Sequence, residues 1–267
     1  MFRILFAGES TTFGINGPVE GTFPYLTGED LKRRLPEKKI QVINIAWPGK
    51  NSYGVLEQIE KAEVLDPDLV IVMTGYNDSA TVYKDFVDIT ARGDLKLTPW
   101  YFQLNKFLAY HSVFYVTFRE KVALLLHGTP TRAFTPATMP ERNVQEITRW
   151  MEYYPVYFRK NLEKMIQLSR QRHFGLVFIR PPLSPVRIRE RPLYHQAFER
   201  LMPELQAVML QNKIPLIDLT NFYNTPGAER WVGKDGLHFT QEGNAEIAAR
   251  VSDFLSRKGE ILANVSR

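Results

Sequence analysis

The sequence predicts an α/β fold, a parallel sheet covered by helices on both faces, and three observations carry that prediction. Five short apolar runs are each bounded by Gly, Pro or Asp. The runs are continuously apolar rather than alternating, which suits strands buried on both faces. Helical patterns lie between them, and repeated βα units connect through right-handed crossovers.

Taken in order, the strand-like runs are "RILFAG" at 3–8, "IQVINIA" at 40–46, "DLVIVMTG" at 68–75, "GLVFIRP" at 175–181 and "IPLIDL" at 214–219. Val55, Ile59 and Ala62 mark one helix. A second is expected to start at Pro155, because a proline fits the first turn, and to bury Phe158, Leu162, Met165 and Ser169. The last carries Ile247, Val251, Phe254 and Leu255 on one face. Between about 80 and 153 the alternation is interrupted. An aromatic-rich, helical stretch at 99–127 precedes "GTPTRAFTPATMPER", with Pro130, Pro136 and Pro140 in one loop. A loop that long is functional or disordered. The reading is therefore one domain over 1–267, with an insertion at 80–153 that forms a lid or a partner surface.

The 267 residues suffice for one large domain with a buried core. With 44% hydrophobic and 24% charged residues, the composition is that of a soluble globular protein. Thirty-four basic and 29 acidic residues leave a net charge of +5, scattered through "LKRR", "RQRH" and "RIRER". That scatter reads as solvated surface, with contact to acidic lipid or glycan as the other reading, and no nucleic-acid signature accompanies it. The absence of cysteine excludes disulfides, thiolate metal sites and a thiol nucleophile. No run of about 18 uncharged apolar residues suggests a spanning helix. "MFRILFAGES" is too short in its apolar part for a signal segment, so the expected location is the cytoplasm unless a targeting segment has been removed.

Ligands of a parallel α/β sheet bind at the carboxyl ends of its strands. The first strand ends in Gly8, Glu9 and Ser10, the second in a turn with Pro48 and Gly49, and the third in Gly75, Asn77 and Asp78. After the fifth, Asp235 stands three residues before His238. Each is ordinary alone: a serine caps helices, a glycine makes turns, Asn–Asp starts them, and a single histidine is usually structural. Their arrival at one edge is harder to explain structurally. A serine nucleophile needs an adjacent neutral imidazole, held in one tautomer by a carboxylate. Ser10, His238 and Asp235 supply these groups. The backbone N–H groups of Ser10 and Gly49 and the Asn77 amide supply donors for a developing oxyanion.

"GES" at 8–10, Gly49, "GYND" at 75–78 and "DGLH" at 235–238 together resemble the SGNH (GDSL-type) hydrolase superfamily, over residues 1–85 and 150–257. The resemblance implies a flavodoxin-like three-layer α/β/α sandwich with a five-stranded parallel sheet, and no cofactor or metal. It implies Ser10 as nucleophile, Gly49 and Asn77 as oxyanion donors, His238 as base and Asp235 as its partner. The implied activity is hydrolysis of acyl, lipid or carbohydrate esters through a Ser10 acyl-enzyme. O-acyl transfer or deacetylation on a glycan would use the same triad. Glu9 stands where the family has aspartate and is expected to support neighbouring backbone; Thr11 replaces the usual leucine. Other readings are a non-catalytic glycan or partner binder, a flavodoxin-like phosphate or flavin loop at "ESTTFG", and a metal site using Asp78, Asp235 and His238. Trp47, Tyr76 and Trp231 flank the motifs and either wall a substrate pocket or pack the core. Peripheral membrane contact is compatible with the sequence, and the oligomeric state is not legible.

Overall fold

The structure, a computed structural model, describes residues 1–83 and 144–257 together with isolated positions between 108 and 122. Five strands, β1 (Phe2–Gly8), β2 (Ile40–Asn44), β3 (Leu69–Met73), β4 (Gly175–Arg180) and β5 (Leu216–Asp218), form one sheet in the order β2-β1-β3-β4-β5. All four pairings are parallel, with Ile4 beside both Ile40-side residue Val42 and Leu69 in register. The order reverses at β1, between β2 and β3, which places a topological switch point, and hence a ligand crevice, beside the end of β1.

Successive strand residues face opposite sides. Leu5, Ala7, Val70, Val72, Leu176 and Phe178 enter one core with α3 (Ser52–Lys61), α4 (Tyr76–Tyr83), α5 (Val144–Arg172) and α7 (Pro192–Asn212). Ile4, Phe6, Leu69, Ile71, Val177 and Ile179 enter the other with α2 (Phe23–Arg34) and α8 (Gln241–Arg257). The result is the expected three-layer sandwich. Two short helices at strand ends, α1 (Ser10–Phe13) and α6 (Pro185–Glu190), lie outside these layers.

Pro155 does not open its helix. It lies inside the 29-residue α5, which begins at Val144. The buried positions Ile147, Trp150, Tyr154, Phe158 and Leu162 continue one stripe through the proline. Tertiary packing of that stripe outweighs the local cost of a missing N–H. Ala62 falls in a 3₁₀ turn after α3 rather than in the helix itself. Of the segment read as an insertion, 80–83 belong to α4 and 144–153 to α5; nearly all the rest, the Pro-rich loop included, lies outside the described residues.

Candidate active site

β1 delivers the first site residue through a tight reversal. Glu9 is extended, and Ser10 opens α1, which Gly14 closes in a left-handed conformation. A Cβ on Gly8 would lie 2.3 Å from Thr12 Oγ1 and 2.7 Å from the Met73 carbonyl oxygen. Glycine at this position therefore lets α1 fold back over the strand end. As the first residue of the helix, Ser10 has no intrahelical partner for its N–H. Thr11 and Thr12 are buried, so the hydroxyls that a phosphate loop would present point into the fold.

The second element is the loop 233–238, pinched shut by an antiparallel bridge between Val232 and Phe239. The Gly233 N–H donates to the His238 carbonyl at 2.7 Å, and the Thr240 N–H donates to the Trp231 carbonyl at 3.0 Å. Inside it, Asp235 Oδ1 accepts the N–H groups of Leu237 and His238 at 3.0 and 3.1 Å. Asp235 Oδ2 lies 2.5 Å from His238 Nδ1, and His238 Nε2 lies 2.8 Å from Ser10 Oγ. A carboxylate can only accept, so Nδ1 carries the hydrogen and Nε2 is left to accept from the serine hydroxyl. Partial burial pushes Asp235 up, but the His238 hydrogen bond, the two N–H groups and the histidine charge outweigh it and hold the carboxyl well below its ordinary value.

Gly49 follows β2 with φ +76°, and nothing lies within 4 Å of where a Cβ would stand. The left-handed backbone favours glycine there, and the space in front of it is open. Asn77, in the first turn of α4, donates its Nδ2 to the Lys50 carbonyl at 2.8 Å. One amide hydrogen thus ties α4 to the Gly49 loop, and the other is not used by that bond. Of the residues singled out from the sequence, hydrogen bonds join Ser10, His238 and Asp235 directly, and the Asn77 amide is tied to the residue after Gly49.

Behind them lies a buried polar network that sequence reasoning largely missed. Glu9 Oε1 accepts from Gly75 N–H at 2.7 Å and from Thr74 Oγ1 at 2.9 Å, while Oε2 accepts from Asn77 N–H at 2.7 Å. A carboxylate on the first N–H groups of α4 acts as a remote N-cap. Asp78 accepts from Ser52 N–H at 2.8 Å and Ser52 Oγ at 2.6 Å, and from Tyr154 Oη at 3.3 Å. Asn161 Nδ2 donates to Ser52 Oγ and Asn51 Nδ2 to Tyr154 Oη, at 2.9 and 2.8 Å. Thr74 Oγ1 also lies 3.3 Å from Asp78 Oδ2, so it stands between the two carboxyls. Burial and the Asp78 charge push Glu9 up against the pull of its three donors; burial pushes Asp78 up as well. The signals available were Asn51–Ser52 ahead of a helical pattern, a cap signature, and the polar Tyr154 and Asn161 on the apolar stripe of α5. Asp78 is occupied by this network, and among the described residues no three acidic or histidine side chains are grouped so as to hold a metal ion.

The three flanking aromatics separate. Tyr76 is buried, donates its hydroxyl to the Pro182 carbonyl and stacks on Phe198; Trp231 is buried against Phe222. Both pack the core. Trp47 is 61% exposed and meets Phe13, 42% exposed, edge to face at 6.4 Å. Its backbone is fixed by donation to the Gly8 carbonyl at 3.1 Å. An exposed aromatic pair thus stands one helical turn from Ser10 and two residues from Gly49.

Comparison with known proteins identifies the site's lineage. The GDSL-like lipase/acylhydrolase family model matches residues 6–246. No curated protein sequence matches the chain. Among solved structures, a lipase/acylhydrolase from Enterococcus faecalis is 21% identical, with 97% of each chain covered and a TM-score of 0.59. The acetyl xylan esterase AlAXEase is 17% identical over 95% of this chain and 100% of its own, with a TM-score of 0.54. The esterase EstA from Pseudoalteromonas sp. is 13% identical over 96% of this chain and 98% of its own, at 0.55. At these identities the structural likeness establishes the shared fold, and the family match establishes descent. Among the described residues no helix is long and apolar enough to cross a membrane. The chain belongs to the GDSL-like lipase/acylhydrolase family and is a carboxylic ester hydrolase.

Proposed function

We propose that this protein is a serine esterase acting through a Ser10 acyl-enzyme, with His238 as general base, Asp235 as its orienting partner, and Ser10, Gly49 and Asn77 as oxyanion donors. The observation that carries the reading is the unbroken chain from Asp235 Oδ2 through His238 to Ser10 Oγ, at 2.5 and 2.8 Å. Ser10 Oγ attacks the ester carbonyl carbon as His238 Nε2 takes its proton. The carbonyl oxygen becomes an oxyanion facing the Ser10 and Gly49 N–H groups and the free hydrogen of the Asn77 amide, each donor worth about 3 kcal/mol in the transition state. Collapse breaks the bond to the alcohol, which leaves with the proton from His238. Water, deprotonated by the same imidazole, then attacks the acyl-enzyme, and collapse returns the proton to Ser10 and frees the acid. Asp235 keeps Nδ1 protonated throughout and stabilises the imidazolium. Trp47 and Phe13 supply an apolar wall for the substrate.

The test is an assay against p-nitrophenyl esters from acetate to decanoate, with Ser10→Ala beside the parent. Hydrolysis by the parent, lost by a factor of about 10³ or more in a folded Ser10→Ala, is the expected result. Activity surviving in the variant refutes the assigned nucleophile. A panel of sugar acetates follows, the substrate type stated in the name of the acetyl xylan esterase relative.

A further inference from the structure

We infer that Ser184 is a positioning residue for the base: its hydroxyl, in the segment after β4, sets where the loop bearing Asp235 and His238 stands relative to Ser10. The inference rests on the active-site reading above and adds a residue that acts through the loop, not on the substrate.

The loop fixes its own interior but not its place. The Asp235 bonds to Leu237 and His238, the Gly233 bond to the His238 carbonyl, and donation from the Gly236 N–H to the Gly233 carbonyl at 2.9 Å all join residues of 233–238 to one another. They hold the imidazole and its carboxylate together wherever the loop lies. Among the described residues, two hydrogen bonds tie 233–238 to other elements. One joins His238 Nε2 to Ser10 Oγ; the other runs from Ser184 Oγ to the Gly236 carbonyl at 2.5 Å. The first is lost whenever Ser10 is acylated, because the ester oxygen has no hydrogen to donate. Only the second can hold the loop through the whole reaction.

Ser184 is built for this. It is buried, and as the N-cap of α6 its oxygen accepts the Arg187 N–H at 3.1 Å, so its single hydrogen goes to Gly236. Gly236 has φ +67°, and a Cβ on it would lie 3.0 Å from the Arg187 backbone nitrogen and 3.1 Å from Val186 Cγ1. The loop tip therefore rests directly on the first turn of α6. The supporting segment is stiff, because Pro181, Pro182 and Pro185 fix φ at three of the five positions 181–185. It also reaches the other half of the site: the buried Tyr76, the residue before Asn77, donates its hydroxyl to the Pro182 carbonyl. Pro182–Ser184 thus spans from the helix carrying Asn77 to the loop carrying His238. Without the Ser184 hydroxyl, a buried carbonyl loses its donor and the loop loses its outside reference. A displacement of about 1 Å between reacting groups costs about a hundredfold in rate.

The experiment measures p-nitrophenyl butyrate hydrolysis after Ser184→Ala in the parent and in a His238→Ala background, with folding checked by urea unfolding. In the parent, kcat is expected to fall about tenfold to a hundredfold, with KM changed less than about threefold. In the His238→Ala background no base remains to be placed, so the same substitution is expected to change the residual rate less than about twofold. A merely structural role lowers both by the same factor. Equal factors, or a folded Ser184→Ala with the parent's kcat, overturn the inference. Should Ser184→Ala fail to fold, Ser184→Cys keeps the side-chain shape with only a weak S–H donor and takes its place in both backgrounds. Amide exchange followed by NMR reads the same bond without turnover: the Gly233 and Gly236 N–H groups are expected to exchange about tenfold or more faster in the variant. A parent that hydrolyses no ester refutes the esterase reading, and unchanged exchange then overturns the role of Ser184 as well, while faster exchange upholds its hold on the loop. Hydrolysis with equal factors overturns the inference and leaves the esterase reading standing.

Discussion

Glu9→Gln tests whether the buried carboxyl beside Ser10 holds the oxyanion donor in place. In the native protein all three donors to Glu9 are within 2.9 Å. There Oε1 accepts from the Gly75 N–H and Thr74 Oγ1, and Oε2 accepts from the Asn77 N–H, so every donor at the start of α4 has an acceptor. Glutamine cannot reproduce this. If its oxygen faces Gly75, its amino group confronts the Asn77 N–H; flipped, it confronts the Gly75 N–H. Either way one buried N–H loses its acceptor, a loss of about 1–3 kcal/mol in stability. Relieving Asp78 of a charged neighbour offsets part of that loss where Glu9 is ionised. Because burial raises Glu9 above its unfolded value, the native protein's advantage is complete below the unfolded glutamate pKa and declines as pH rises through the folded one. The stability gap between parent and variant should therefore narrow with rising pH in urea unfolding. In p-nitrophenyl butyrate hydrolysis, a displaced Asn77 amide bounds the effect at a single oxyanion donor, so kcat should fall about tenfold to a few hundredfold with KM changed less than about threefold. Glu9→Asp should recover part of kcat. A folded Glu9→Gln with the parent's kcat, measured where Asn77→Ala has lost its own, would refute the assignment of Glu9 as a positioning residue.

Two further substitutions probe the chain and the network. Asp235→Asn should leave the fold intact and lower kcat by about 10⁴, since an amide can donate to Nδ1 and stabilise the wrong tautomer; a loss under tenfold in steady-state assays would contradict the orienting role. Because Asp235 is depressed in the folded protein, its stabilising contribution is present above the unfolded aspartate pKa and lost as pH falls, so parent and Asp235→Asn should converge in stability on acidification. Ser52→Ala removes both the 2.6 Å donor to Asp78 and the acceptor of the Asn161 amide, and should destabilise by about 1–3 kcal/mol in urea unfolding. A loss below about 0.5 kcal/mol would mean that Asp78 and Asn161 find replacement partners.

The three inner strands β1, β3 and β4 were legible because they are buried on both faces and read as nearly uninterrupted apolar runs, while the edge strands β2 and β5, only partly buried, were legible from their bounding turns and their place in the βα alternation. Ser10, Gly49, Asn77, Asp235 and His238 were legible for a related reason: they follow strand ends, and a parallel sheet gathers all its carboxyl ends on one edge. The start of α5 was misplaced because Pro155 announces a helix N-terminus locally, whereas the stripe from Ile147 to Leu162 that carries the helix through it is rewarded only by packing against α3 and α7.

By itself, the sequence determined the sheet, the edge on which chemistry collects and the residue types needed for acyl transfer. Tertiary structure alone decided what holds them: Glu9 reaching 68 positions along the chain to the Asn77 N–H, Tyr154 and Asn161 joining Asp78 and Ser52 from another helix, and Trp47 left exposed while Tyr76 and Trp231 are buried. Such contacts depend on which side chains share a desolvated space. Burial makes an unpaired polar atom costly and an exposed aromatic pair available to a ligand, and no local pattern records which residues will meet there.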